Sequence, residues 1–467
     1  MRYQLLILIF LYALVTKCKK ENNKNNIDYP GNSILIIDGL NGVNYSEKEI
    51  NDKISKDAGY NTRVVKILNL PNIQTIDLSP IVNLNELIIS NNSGLNSVLL
   101  HNLKEVSNEI SIKNNSNLSN ISIPVLEKAG RIEISENEQL RKLEFKNLTS
   151  ANKVILLSST AFYEVNFPKL SSLNDSLYLQ GIYSGINFPL LTNSKDLILY
   201  KCCDPQKPSS FSFPSLEKCG TLLLSTNYFN EYVLPKLNIA EKIILNNPLA
   251  DIQNFSLTVL SKVKEVNISS NYGIKINNIS LPKVDTLTTG LGISNLPNDC
   301  IINIPNLKYT GEQISFFNNT ALTKIELPLL KSVGSFYVGK ENTQLTNIHT
   351  PLLETVEGNI EFNLLKNTAS NINLNLKELK DVLGDLKLYT KSDINLPRLR
   401  NVRGSLELLN STKIDIPELE NVGLSLYISG YQSITPLIFN KLVNVGYDIR
   451  IISNSITNLV FPTLKTL

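Results

Sequence analysis

Residues 396–408 read "LPRLRNVRGSLEL", and the same phrase returns with other letters along most of the chain. It reads "TPLLETVEGNIEF" at 350–362 and "IPELENVGLSLYI" at 416–428. Aligned on the proline, the repeat is P-x-L-x-x-V-x-G-x-L-x-L-x-x-N-x-x-L-x-x-I-x-L. About seventeen copies follow one another with a mean period of roughly 22 to 23 residues, a length typical of solenoid repeats. Each copy therefore predicts one turn of a stacked, repetitive fold.

Each part of the repeat has a predicted structural role. The L-x-L element alternates inward apolar and outward residues, as a short strand does, and I-x-L-P is a second extended piece whose proline ends the pairing. The glycine two residues before L-x-L, as at Gly334 and Gly404, suits a positive φ or a close backbone approach. The asparagines of "SNN", "KNN" and "FNN" can bond neighbouring backbone and stack from turn to turn. We therefore predict a mostly β protein, an elongated right-handed parallel β solenoid.

The segments around the repeats divide the chain. The solenoid is predicted over residues 64–467, and its last copy opens at Pro462 and stops mid-repeat, so we expect either a fragment or an open last turn. Residues 32–63 are predicted to be a small N-terminal cap, a strand followed by a short helix with Ser46 and Glu49 as a capping box. Residues 19–31 form a polar linker.

Residues 1–18 have the pattern of an export signal. A basic residue and an apolar stretch of about a dozen residues precede Cys18, too short for a membrane-spanning helix. The sequence "LVTKC" at 14–18 resembles the lipobox of bacterial lipoproteins, whose cysteine is acylated, and a polar tether follows at once. We expect lipidation at Cys18 and a place in the cell envelope, on the outer membrane or the cell surface. Ordinary cleavage beside an incidental cysteine is the alternative.

Composition and cysteine spacing exclude several classes of function. Apolar residues make up 42% of the chain and the net charge is +3 without a long basic run, so nucleic acid is not an expected partner. The spacing of Cys202, Cys203, Cys219 and Cys300 fits neither a metal site nor a dense disulfide framework. Cys219 replaces a valine or alanine of the repeat and is predicted to be a small buried hydrophobe. A disulfide from Cys219 to one of the vicinal pair is the alternative.

Catalytic patterns are missing from the sequence. Parallel β-helices host polysaccharide lyases and hydrolases, but such sites need converging carboxylates or bases, and the acidic residues here are scattered. The sequence has no P-loop, nucleophile elbow or metal triad. We interpret His101 and His349 as solvated surface residues. No catalytic residue, metal or cofactor is expected.

Two long phrases, at 327–362 and 396–428, resemble the receptor L-domain repeats. These are the leucine-rich, β-helix-like modules of insulin- and growth-factor-receptor ectodomains and of some fungal cell-wall proteins. The resemblance covers roughly residues 64 to 467 and implies the leucine-rich solenoid fold. It assigns no ligand-binding residue, because the family's ligand contacts lie outside the repeat motif.

Function is predicted to lie in the outward residues of the L-x-L strands, which stack about 4.8 Å apart. We call the first candidate face the apolar ladder, because five consecutive outward residues are apolar or aromatic. They are Ile155, Tyr178, Ile198, Leu223 and Ile244. A solvated face does not need such a stripe, so we expect a protein or glycan, or a second copy of the chain, to cover it. Burial under an inserted loop, or a register slip in the alignment of the repeats, is the alternative.

A second candidate face, the mixed ladder, combines tyrosines with both charges. It comprises Tyr337, Glu361, Lys387, Glu407, Tyr427 and Arg450. Plain solvent exposure or contacts to a polar ligand would explain it. The leading hypothesis is thus a non-enzymatic cell-surface binding or adhesion protein. The alternatives are a β-helix enzyme that acts on surface polysaccharide and a purely structural envelope protein.

Overall fold

The repeat folds into stacked turns in the computed structural model of the chain. Apolar and polar residues alternate along short strands, and strands of successive turns pair in parallel. The prediction of a mostly β parallel solenoid is confirmed. The export signal with Cys18, most of the linker and Cys203 lie outside the described residues. The structure describes residues 31–41, 45–162, 164–182, 185–202, 209–270, 273–368, 372–433, 436–453 and 455–466.

Two sets of strands form the walls of the solenoid. The L-x-L elements and the short pieces before them form one sheet, the main sheet, with 25 strands in the described residues. The main-sheet strands are Ile34–Asp38, Val64–Leu68, Asn83–Ser90, Glu105–Lys113, Lys128–Ser135, Ser150–Phe162, Ser172–Leu173, Ser176–Ile182, Asn193–Tyr200, Lys218–Ser225, Ile239–Asn246, Val263–Ser269, Thr286–Ser294, Tyr309–Phe317, Ser332–Val338, Thr355–Val356, Ile360–Asn363, Asp381–Val382, Leu386–Tyr389, Asn401–Val402, Leu406–Leu409, Asn421–Val422, Leu426–Ser429, Asn444–Val445 and Ile449–Ile452.

The I-x-L pieces form a second side of short sheets, each with two or three strands. In chain order the second-side strands are Thr75–Asp77, Ser97–Leu99, Asn120–Ser122, Lys142–Glu144, Glu164–Asn166, Ile186–Asn187, Ser209–Ser212, Phe229–Val233, Phe255–Ser256, Asn278–Ser280, Ile301–Asn303, Lys324–Glu326, Asn347–His349, Asn373–Asn375, Ile394–Asn395, Ile414–Asp415, Leu437–Ile438 and Leu459–Val460. The prolines of the repeat lie just after these strands, where pairing ends.

The strand and helix predicted before the repeats are both present. The Glu49 N–H donates to Ser46 Oγ at 3.3 Å and the Ser46 N–H donates to Glu49 Oε2 at 2.8 Å, which is the predicted capping box. Ile50 and Ile54 of this helix are buried and join the core of the solenoid. The elements are the strand Ile34–Asp38, the 3-10 helix Gly39–Asn41 and the α-helix Glu47–Asp57.

The apolar positions of the repeat form one continuous core. Leu406 and Leu408 are both 0% exposed, whereas Glu407 between them is half-buried and faces outward. Leu406 pairs with Leu386 on one side and with Leu426 on the other, so equivalent leucines stack along the solenoid. This alternation, repeated at each turn, fixes which residues reach the outer face.

Asparagines form the predicted ladder at the end of the main-sheet strands. The first residue of the "SNN" doublet, Asn91, has φ 58°, a conformation that asparagine tolerates better than most residues. The second residue, Asn92, is buried, and its N–H and its Nδ2 both donate to Asn115 Oδ1 at 3.0 Å. Asn115 makes the same pair of bonds to Asn137 at 3.1 Å. A second ladder joins Asn319 to Asn342 in the same way.

The repeat glycines serve a close backbone approach, one of the two roles predicted for them. A Cβ added to Gly334 would lie 1.9 Å from the carbonyl oxygen of Glu312. At Gly404 it would lie 2.3 Å from Asp385 Oδ1. Neither glycine has a positive φ, so it is space between successive turns that requires glycine here.

Phenylalanines stack inside the solenoid just before the proline corner. Phe145, Phe167 and Phe188 follow one another with ring centroids 4.8 Å apart, and Phe213 continues the stack at 5.5 Å. All four rings are buried. The spacing matches the distance between paired strands, so each ring packs on the ring of the next turn.

The cysteine thiols of the described residues lie in the core. Cys219 and Cys300 are buried and free, and Cys202 is also buried. Cys219 therefore forms no disulfide with a described cysteine, and the prediction of a small buried hydrophobe is confirmed. Burial, assisted by the charge of Asp196, raises the pKa of Cys219 to about 12.

The turns differ in length although their main-sheet strands stay paired. The turn that leads from Tyr178 to its partner Ile198 is a short one. The next turn, from Ile198 to its partner Leu223, is longer, and the turn from Glu361 to its partner Lys387 is longer still. The extra residues of the long turns therefore lie outside the paired L-x-L strands.

Candidate functional site

The apolar ladder exists in the structure as a continuous column on the main sheet. Ile155 pairs with Tyr178, and Tyr178 pairs with Ile198. Ile198 pairs in turn with Leu223, which pairs with Ile244. The alignment of the repeats is therefore correct at all four steps, and the five side chains share one face.

The five side chains of the apolar ladder are half-buried. The inward neighbours Leu197 and Leu199 are 0% exposed, so the outward side chains are clearly different from core residues. A loop laid over the ladder would bury it as deeply as the core. Among the described residues the five side chains are less deeply buried than the core leucines, so such full burial is not observed.

Aromatic and polar groups border the apolar ladder. The Tyr178 hydroxyl donates to Gln180 Oε1 at 3.1 Å, and burial raises the pKa of Tyr178. Tyr200 occupies the next outward position on the strand of Ile198, and Lys201 Nζ lies 5.5 Å from the centroid of its ring. An apolar centre with an aromatic and polar rim is typical of protein interfaces. Tyr200 lies at the outward position after L-x-L, which the period of two also predicts to face outward.

The mixed ladder is also one continuous column. Tyr337 pairs with Glu361, and Glu361 pairs with Lys387. Lys387 pairs with Glu407, which is followed by Tyr427. Arg450 pairs with Tyr427 and ends the column. Arg450 is exposed, and the other members are half-buried.

Contacts within the mixed ladder involve two residues that the sequence did not single out. Lys387 Nζ lies 3.1 Å from Asp385 Oδ2 and 3.6 Å from Glu407 Oε1. The Tyr389 hydroxyl donates to Glu407 Oε2 at 2.6 Å. The acidic residues, scattered in the sequence, therefore do converge here. Asp385 and Tyr389 are the outward residues on either side of Lys387, so the period of two could have identified them.

The charges of the mixed ladder shift the pKa values of its titratable groups. Burial alone would lower the pKa of Lys387, but the hydrogen bond to Asp385 and the charge of Glu407 outweigh it and raise that pKa. Burial raises the pKa of Tyr389, and the bond to Glu407 raises it further. The ammonium and the phenol hydroxyl therefore keep their protons at neutral pH.

Charged residues near the N-terminal end of the main sheet satisfy one another. Glu133 contacts Arg131. The Oε1 of Glu133 also lies 2.6 Å from Lys113 Nζ. Arg131 Nε also lies 3.1 Å from Glu109 Oε1. Burial alone would raise the pKa of Glu133, but the bonds from Lys113 and Arg131 outweigh it and lower that pKa. These carboxylates are part of a closed network and offer little to a ligand.

Open grooves on the second side mark places where consecutive strands do not pair. One of them, about 420 Å³, lies between Asn373–Asn375 and Ile394–Asn395 and is lined by Lys377 and Asp393 among others. Within the described ranges, no three His, Cys, Asp or Glu side chains come together to hold a metal ion. The Nδ1 of His349 lies 3.0 Å from Asn375 Nδ2, and His101 is exposed.

Comparisons with known proteins assign this chain to no family. No protein-family model matches the chain, and no curated protein matches its sequence. No helix among the described residues is long and apolar enough to cross a membrane. The solenoid is thus observed directly, whereas the resemblance to receptor L-domain repeats stays a prediction.

Proposed function

We propose that this protein is a non-enzymatic binding or adhesion protein of the cell surface that binds a partner protein through the apolar ladder. In this proposal it belongs with the receptor L-domain-like, leucine-rich solenoids and is a bacterial surface lipoprotein. Cys18 carries the lipid, the polar segment after it is a tether, and the solenoid presents its main sheet to the outside. The observation that supports the proposal is the run of five apolar outward residues in adjacent turns.

The length and chemistry of the apolar ladder favour a protein partner. From Ile155 to Ile244 the column spans four strand spacings, about 19 Å, which is the scale of a small interface core. The column continues into Asn267, Gly292 and Ser315, which are small or polar. Aliphatic side chains offer no hydrogen bonds to sugar hydroxyls, but they can anchor the apolar residues of a protein.

A double substitution tests the apolar ladder as the binding face. Ile198→Thr with Leu223→Thr keeps β propensity and removes apolar contact, so we expect the fold to survive and binding to weaken at least about tenfold. Sedimentation of the purified 19–467 segment measures self-association. Pull-down of surface proteins, quantified against wild type, measures partner binding.

A matched control carries Asn267→Thr and Ser315→Thr, which lie in the same column beyond the apolar ladder. We expect this control to bind as the wild type does. If the double variant at Ile198 and Leu223 binds equally well, the apolar ladder is not the binding face. A cooperative melt at a much lower temperature would instead show that the ladder is buried within the monomer.

The lipid anchor has its own test. Cys18→Ser removes the only site of acylation in the lipobox-like segment, so we expect the protein to leave the membrane fraction for the soluble fraction. The melting temperature should not change, because Cys18 lies outside the repeats that form the core. Fractionation of cells followed by immunoblotting measures the distribution, and unchanged membrane partitioning would contradict lipidation.

A further inference from the structure

The mixed ladder differs from the other charged part of the main sheet in that, among the described residues, some of its polar groups make no hydrogen bond. Within the described residues, the carboxylate of Glu361 has no hydrogen bond or ion pair, and neither has the hydroxyl of Tyr427. The Tyr337 hydroxyl accepts one long bond, 3.5 Å from Asn359 Nδ2. These half-buried groups can therefore accept or donate hydrogen bonds to a ligand without breaking a protein contact.

The charge balance of this face disfavours anionic ligands. Four carboxylates, those of Glu361, Asp385, Glu407 and Asp448, accompany two cations, Lys387 and Arg450, so the excess is two negative charges. Lys387 already lies between Asp385 and Glu407 and is not free to neutralise an added anion. A ligand that donates hydrogen bonds and carries no negative charge fits best.

Aromatic rings flank the polar groups. Tyr337 and Tyr427 lie at the two ends of a column of five residues, about 19 Å apart by strand spacing, and Tyr389 lies beside Lys387. A half-buried tyrosine presents an apolar ring and a polar hydroxyl on one surface. Sugar rings match this combination, because their C–H faces pack on aromatic rings while their hydroxyls bond to carboxylates and amides.

From these observations we propose that the mixed ladder binds a neutral saccharide chain that runs along the solenoid axis. Successive strands are about 4.8 Å apart, close to the advance of one pyranose unit in an extended chain, so successive sugars meet successive turns. Tyr337 and Tyr427 pack on sugar rings, and Glu361 accepts hydroxyl hydrogens between them. This site is separate from the apolar ladder, so the two proposals stand or fall independently.

Calorimetry with defined oligosaccharides tests the proposal on the purified 19–467 segment. The neutral probes are cellohexaose, xylohexaose, mannohexaose and N-acetylchitohexaose, and the anionic probe is hexagalacturonate. We expect saturable binding of at least one neutral probe and weaker binding of the anionic one. Binding of no neutral probe at millimolar concentration, or a preference for hexagalacturonate, would overturn the proposal.

Two variants locate the binding. Tyr337→Ala with Tyr427→Ala should weaken binding by at least about tenfold, because it removes both ring platforms. Glu361→Gln keeps the size of the side chain and should weaken binding severalfold without altering the melting temperature. If the tyrosine variant folds poorly, Glu361→Gln alone tests whether the mixed ladder binds the saccharide. Unchanged affinity in Glu361→Gln and in a folded tyrosine variant would exclude this face.

The control for location is the double variant of the apolar ladder, Ile198→Thr with Leu223→Thr. It should bind the neutral probe with wild-type affinity, since none of its changes touches the mixed ladder. A loss of saccharide binding in this control alone would assign the saccharide to the apolar ladder and overturn the proposal.

Discussion

Leu406→Asp is expected to lower the free energy of unfolding by on the order of 4 kcal/mol, since it places an unpaired carboxylate in the core. Leu406 is 0% exposed and stacks between Leu386 and Leu426, so the new charge would lie against apolar side chains. Urea denaturation followed by circular dichroism measures the change. A still larger destabilisation would unfold the variant at neutral pH. The fold should then partly recover at low pH, where the new carboxyl is protonated.

Glu407→Ala is the matched control on the adjacent residue. The sequence alone predicts a change of roughly half a kcal/mol or less at an outward position. Because Glu407 accepts a 2.6 Å bond from the Tyr389 hydroxyl, we expect the cost to reach about 1 kcal/mol. Similar losses at Leu406 and Glu407 would show that the strand register is wrong.

Asn115→Ala is expected to cost about 3 kcal/mol, because it interrupts the buried asparagine ladder. The N–H and the Nδ2 of Asn92 both lose their acceptor, Asn115 Oδ1. The carbonyl oxygen of Ile89 loses the donor Asn115 Nδ2, which lies 3.1 Å away. Each buried group left without a partner costs roughly 1 to 3 kcal/mol, and alanine also leaves a small cavity. Thermal and urea unfolding measure the loss.

Asn120→Ala provides the comparison for the asparagine ladder. Asn120 is exposed and donates one side-chain bond, to Ser97 Oγ at 2.9 Å, so its loss should change stability by about half a kcal/mol. If Asn115→Ala and Asn120→Ala are equally mild, the buried ladder does not hold successive turns together.

The sequence predicted the register of the outer face because the copies of the repeat carry apolar residues at the same two inward positions. With Leu406 and Leu408 fixed inside, the residue between them must face outward, and the pairing of Glu407 with Lys387 and Tyr427 follows. The period of two in each strand, together with the repeat, is enough to predict which side chains face outward and pair, without long-range distances.

Features that depend on distances between turns were harder to predict. Gly334 could have served a positive φ or a close approach. The structure decides between them, because its φ is not positive and an added Cβ would lie 1.9 Å from the Glu312 carbonyl oxygen. The stack of Phe145 on Phe167 was also missed, although a phenylalanine before the corner recurs in the sequence as "NFP".

The sequence likewise does not predict which polar groups on the candidate faces are hydrogen-bonded to other residues of the protein. Glu407 is bonded to Tyr389, whereas Glu361 makes no hydrogen bond within the described part of the chain, and this difference depends on side-chain rotamers in adjacent turns. The repeat places both glutamates in the same column and does not distinguish them. Sequence reasoning therefore identified the faces but could not say which of their residues are available to a ligand.

The unequal turn lengths show that the loops between strands can change in length while the strand pairing stays the same. The turn from Tyr178 to Ile198 is shorter than the turn from Glu361 to Lys387, yet both pairs stay in register on the main sheet. Insertions and deletions can thus accumulate at the far corners without displacing any residue of the outer columns. Evolution can retarget such a surface by exchanging one outward side chain at a time, because an exchange that avoids proline and fits the available space keeps the pairing of the strands beneath it.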